Sequence, residues 1–171
     1  MNWKSAAIGF VAALVIVAVV AYGYFTFGLV PVATASQPMP FEKFLASRAL
    51  HAAVGKAADT PSPVEVSEQN LQSGARTYRT NCAVCHGLPD RPMTAIAKGM
   101  FPKVPQLFNG KGVSDDPVGE TFWKVQNGIR LSGMPAFRGS LTEDQMWQVS
   151  ELLAHSDKLP GSVIAELQRK D

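Results

Sequence analysis

The sequence holds only two cysteines, Cys82 and Cys85, among its 171 residues. A secreted domain stapled by disulfides carries more of them, more widely spaced, so a disulfide framework is excluded. Histidines number three. A four-ligand zinc site would need His51 or His155 to join the cysteines. Charge is sparse: 18% of residues are Asp, Glu, Lys or Arg, and the formal net charge is +2. No Lys/Arg cluster with interleaved aromatics occurs, which argues against a nucleic-acid partner. No convincing strand run is present. The length suits one domain with appendages.

Charge is missing altogether from Ala6 to Val30. These 25 residues would form roughly 37 Å of helix. A bilayer core of about 30 Å needs roughly 20 apolar residues, so the segment is long enough to span with tilt. Tyr22, Tyr24, Phe25 and Phe27 cluster at its far end, where interfacial aromatics sit. Lys4 and the free amine precede the run, and no other charge appears before Glu42. The positive-inside rule then places residues 1–5 in the cytoplasm and the rest outside. A cleaved signal peptide is the competing reading, since Ala33-Thr34-Ala35 fits a small-residue cleavage pattern. Its apolar core would, however, be longer than the usual 7–15 residues. Both readings export the remainder.

Residues 31–65 read as a linker punctuated by Pro38, Pro40, Pro61 and Pro63. Phe41, Phe44, Leu45, Ala49 and Leu50 recur at helical spacing and predict a short helix from Phe41 to Val54, near a membrane surface or on a partner. His51 lies in it and reads as solvated.

What the two cysteines do is set by their spacing. Cys82-Ala83-Val84-Cys85-His86 is a C-x-x-C-H run, the pattern of covalent haem attachment. On one helical turn the two sulfurs face the same way and can form thioethers with the two vinyl groups on one porphyrin edge. His86 then falls beneath the iron as the proximal ligand. Chance gives such a run in on the order of one chain in a thousand of this size. Zinc, a thioredoxin-like redox pair and a local disulfide are the rivals. The first lacks ligands, the second lacks a βαβ context.

Other signals surround the motif. Ser67 is a candidate N-cap, and Asn70, Gly74, Tyr78 and Cys82 share one helical face. Thr142 and Gln145 fit a capping box opening a helix to about His155, with Met146, Val149, Leu152 and Leu153 as its apolar stripe. Asp116 as N-cap and Pro117 at the first position predict a helix ending at Gly128, with Phe122, Val125 and Ile129 inward.

From about Ser67 to Leu159 the chain resembles a class I cytochrome c domain, over a little more than half its length. The resemblance implies an all-α fold of three or four helices around one covalent haem c. It implies that the first and last helices cross, with Gly74 against the aromatic Trp147. It implies Met134, in Gly133-Met134-Pro135-Ala136-Phe137, as the distal iron ligand beside His86. Met93, Met100 and Met146 are the alternatives. It further implies that the carbonyl of Pro105, in Pro105-Gln106-Leu107, accepts the proton on the far nitrogen of His86; Pro92 and Pro102 lie nearby. Trp123 sits either against haem or its propionates or in ordinary core. The long segment from Leu88 to Gly112 departs from compact family members, and Arg91, Lys98 and Lys103 in it read as a solvated surface or as a ring around the haem edge.

The organisation expected is a transmembrane anchor at 6–30, the linker at 31–65, a cytochrome domain at 66–160 and a C-terminal tail at 161–171, where Val163, Ile164 and Leu167 mark one short helix. The function expected is one-electron transfer in a respiratory-type chain, by a carrier and not an enzyme in its own right. Its partners would be the membrane, a quinol-oxidising complex and a terminal oxidase or other acceptor. The haem domain would lie on the periplasmic side of the cytoplasmic membrane. A fixed subunit of a membrane dehydrogenase or oxidase is the alternative, with a haem sensor or peroxidase behind it.

Overall fold

The computed structural model describes residues 2–110 and 112–169. The chain is all-α: among the described residues there are eight helices and no strand, only an isolated antiparallel bridge between Ile129 and Met134. It divides into two units, residues 1–43 and 44–171.

The first unit is dominated by α1, Trp3–Thr26, whose side chains are all unburied. The helix is about 36 Å long and is apolar enough to cross a membrane by length and composition. It begins three residues before the uncharged run and ends four before its close. At the far end the Thr26 hydroxyl bonds the Tyr22 carbonyl at 2.9 Å, and Gly28, at φ +72°, turns the chain out of the helix.

The second unit is built on a helix crossing. Ser67 caps α3 (Glu68–Asn81), its hydroxyl accepting from the Asn70 N–H. Thr142 and Gln145 close the capping box on α7, Glu143–Ala154. The two helices meet at Gly74. A Cβ there would strike the Gln148 carbonyl oxygen and lie 3.2 Å from Leu152 Cβ. The crossing expected at Gly74 exists, but its nearest partners are the Gln148 backbone and Leu152, not Trp147. Trp147 stacks instead on Phe122 of α6 (Val118–Asn127), with centroids 3.8 Å apart and planes 7° from parallel. Pro117 rather than Asp116 occupies the N-cap of α6, and Asp116 faces Lys124 at 3.9 Å instead.

Two helices were too short for periodicity to resolve, α4 (Ala83–His86) and α5 (Ala95–Gly99), and α8 (Gly161–Gln168) is the short helix expected around Val163, Ile164 and Leu167. They raise the helix number above the three or four expected. Helix α8 occupies the stretch read as a tail. It lays Val163 and Leu167, both 0% exposed, into the core beside α3, and Arg79 pairs with Glu166 at 3.1 Å. Each such aliphatic burial stabilises by about 1.5–3 kcal/mol. Helix α2, Glu42–Val54, straddles the division between units. Its last residue, Val54, is buried, so the second half of the expected linker belongs to the domain.

Candidate functional site

Helix α4 is one turn long and carries Cys82 at its N-cap and Cys85 and His86 in its last turn. A turn this short leaves its final carbonyls without helical partners. Here four consecutive ones are taken by other parts of the domain. The Val84 carbonyl accepts from the Thr94 hydroxyl at 2.6 Å. The Cys85 carbonyl accepts from Gln106 Nε2 at 3.0 Å. The His86 carbonyl accepts from the Leu107 N–H at 3.2 Å. The Gly87 carbonyl accepts from the buried Tyr78 hydroxyl at 2.8 Å. The turn is thereby fixed from α3, from the N-cap of α5 and from the segment 105–107. Thr94, Gln106 and Tyr78 were not singled out for this role by sequence. Only the neighbourhood of Gln106, inside Pro105-Gln106-Leu107, pointed at it.

His86 Nδ1 lies 2.9 Å from the Pro105 carbonyl oxygen. A carbonyl only accepts, which assigns the proton to Nδ1 and leaves the Nε2 lone pair for a metal. Burial lowers the His86 pKa below the ordinary imidazole value, against an opposing push from the Pro105 bond. The neutral, ligating form is therefore favoured.

Both cysteines are half-buried and unbridged. Burial, aided by Cys85, pushes the Cys82 thiol up to about 12. A free thiolate is disfavoured there, which counts against a reactive redox thiol. A thioether carries no charge and escapes that penalty. Among the described residues no group of three or more His, Cys, Asp or Glu gathers to hold a metal.

Met134 comes from a tight loop after α6. The Ile129 N–H bonds the Met134 carbonyl at 3.1 Å, and Ser132 bridges the loop from its hydroxyl to Ile129 O and Met134 N. The Phe137 N–H returns to Val125 O at 3.0 Å, fastening the loop to α6. Met134 is half-buried against the same core as Cys82, Leu88 and Phe108. Met100 approaches this loop too, its methyl lying where a Gly133 Cβ would be. Trp123 is half-buried on α6, beside the buried stripe of Phe122 and Val125. The hydrogen bonds that gather Cys85, His86 and Pro105 do not include it.

Residues 69–153, which hold all of this geometry, match the family described as cytochrome c oxidase, cbb3-type, subunit III. They are a class I c-type cytochrome domain. A cytochrome domain binds haem and moves electrons through it, so haem, iron and electron transport belong to this chain. The chain is also similar to a curated protein, the quinohemoprotein alcohol dehydrogenase ADH IIB of Pseudomonas putida. Identity is 30% over 99 residues, which is 57% of this chain and 13% of that protein. The chain therefore spans a small part of that relative's length. The donor set of the cytochrome domain fits haem on its chemistry: two unbridged thiols one turn apart, an imidazole held in its ligating tautomer, and a thioether on a separate, well-braced loop.

Proposed function

We propose that the chain is a membrane-anchored monohaem cytochrome c that carries single electrons outside the cytoplasm. Cys82 and Cys85 would hold one haem through thioethers, and His86 and Met134 would be its iron ligands. The observation that carries the reading is the His86–Pro105 contact within a C-x-x-C-H turn whose last carbonyls are all bonded. Haem supplies a one-electron Fe(III)/Fe(II) couple. The protein's part is to hold that couple still. The Pro105 carbonyl orients the imidazole and raises its basicity. The Met134 thioether, soft and neutral, favours the reduced state. With His86 and Met134 both engaged in holding the haem, the chain would leave no room for a substrate at it, so the domain is read as a carrier and not an enzyme. Trp123 is assigned to the wall near the haem. The uncharged α1 is read as a retained anchor, with Lys4 on the cytoplasmic side and the cytochrome domain on the other.

The decisive experiment is an alkaline pyridine haemochrome spectrum of denatured, solvent-extracted protein. Retained haem with saturated vinyl groups is the expected result. Cofactor-competent, exported protein without retained haem would remove the reading.

A second reading, a fixed haem subunit of a larger dehydrogenase or oxidase, is favoured by the names of the matching family and relative. The two differ at α2, where Phe44 and Leu45 are 61% and 62% exposed. A fixed subunit shields them from protease inside a complex; a free shuttle between a quinol-oxidising complex and a terminal acceptor leaves them open.

A further inference from the structure

Helix α6 has a glycine near each end, and each is pressed against backbone. At its first turn, a Cβ on Gly119 would lie 2.7 Å from the Thr60 carbonyl oxygen, 2.9 Å from that of Ala58, and closer still to that of Ala57. These oxygens belong to a tight turn following α2, closed by bonds from Ala57 N and Ala58 N to Val54 O and from Thr60 N to Ala57 O. Val54, at 2% exposure, pins that turn to the domain. Carbonyl oxygens gathered at a helix N-terminus are also electrostatically favoured there. At the other end, Gly128 has φ +66°, and a Cβ on it would lie 2.7 Å from Met134 O, Pro135 C and Ala136 N. The loop that carries Met134 is thus seated on one end of α6, and the connector 54–60 on the other.

Between these contacts α6 is about 15 Å of helix. Its buried side chains are Thr121, Phe122 and Val125, and Phe122 stacks flat on Trp147. Parallel stacked rings resist separation more than sliding, because offset arrangements are preferred to eclipsed ones. What abuts its ends therefore helps to set the lengthwise position of α6.

We infer that the connector 54–60 is a positioning element for the Met134 loop, acting through α6, with Gly119 as the residue that seats it. The inference rests on Met134 being the distal ligand. His86 is held independently, by Pro105 at its ring and Leu107 at its carbonyl, with Tyr78 and Gln106 on the neighbouring carbonyls of Gly87 and Cys85, so release of the connector should loosen the Met134 ligand and spare His86.

The test uses the full chain, matured with haem and placed in lipid nanodiscs, with variants Gly119→Ala and Val54→Asp. The first is informative because alanine raises helix propensity by about 1 kcal/mol over glycine. Loss of ligand hold in it cannot come from a weakened α6. Limited proteolysis reports release of 54–60. The ferric sulfur-to-iron charge-transfer band and carbon monoxide binding to the reduced protein report the Met134 bond. Pyridine haemochrome reports retained haem. The expected result is a connector open to protease, intact covalent haem, a weakened band, and about tenfold more carbon-monoxide-reactive iron, equivalent to about 1.4 kcal/mol. A released connector with an unchanged band overturns the inference. So does a connector that stays protease-resistant in both variants, since the close seating on Gly119 would then be wrong. Met134→Ala is the control: if it keeps the band, the ligand assignment fails, separately from the inference about the connector.

Discussion

The hydroxyl of Tyr78, on the penultimate turn of α3, donates to the carbonyl of Gly87 at 2.8 Å, directly after the C-x-x-C-H turn. The ring is fully buried and meets Phe108 edge-on with centroids 5.0 Å apart. One side chain therefore ties the helix crossing that makes the fold to the turn that carries the cofactor donors.

Tyr78→Phe removes that donor and leaves a carbonyl unpaired, at a cost of about 1–2 kcal/mol. The substitution also changes the pH profile. Burial raises the Tyr78 phenol above its ordinary value. Below about pH 10 both folded and unfolded chains keep this proton. Above it the unfolded chain loses the proton first, so stability falls as pH rises. Denaturant melts from neutral to strongly alkaline pH should show a steeper alkaline loss in wild type than in Tyr78→Phe. Parallel curves would show that Tyr78 is not the group responsible.

Met134→Ala should keep the haem covalently attached and lower the reduction potential by on the order of 0.1 V, part of the roughly 0.8 V range that axial ligands span. Potentiometric titration reads this directly. An unchanged potential would transfer the ligand role elsewhere, with Met100, whose methyl reaches Gly133, as the next residue to replace.

Gly74→Ala places a methyl against the Gln148 backbone, where no flexible side chain can yield. Helix α3 or α7 must shift, and the expected loss is about 2–3 kcal/mol despite the gain in helix propensity. A variant with wild-type Tm would mean that the two helices do not cross there.

Gln106→Ala strips the Cys85 carbonyl of its donor. The expected loss is about 1–2 kcal/mol in chemical denaturation. Haem should be retained, because both thioether positions and His86 are untouched. Failure of haem attachment in this variant would mean that Gln106 acts in maturation rather than in bracing the turn.

Local chemistry was open to reading without coordinates. The C-x-x-C-H spacing, the Ser67 cap, the Thr142–Gln145 box and the uncharged run from Ala6 each depend on residues within a few positions of one another. Caps and motif follow from hydrogen bonds and spacings that one helical turn can satisfy. The pairing of His86 with Pro105 was accessible only through family resemblance, because they stand nineteen positions apart along a proline-rich chain.

The sequence by itself determined the C-x-x-C-H motif, the apolar run and the N-caps of α3 and α7, since these rest on spacing, composition and capping; the all-α class came with the family resemblance. Only the tertiary structure decided which surfaces meet. It put Gly74 on Gln148, stacked Trp147 on Phe122, filled the core with α8 and seated the connector on Gly119. The physical reason is that close approach depends on where two backbones run. A glycine permits such contact anywhere along a helix but does not name the strand of chain that will make it.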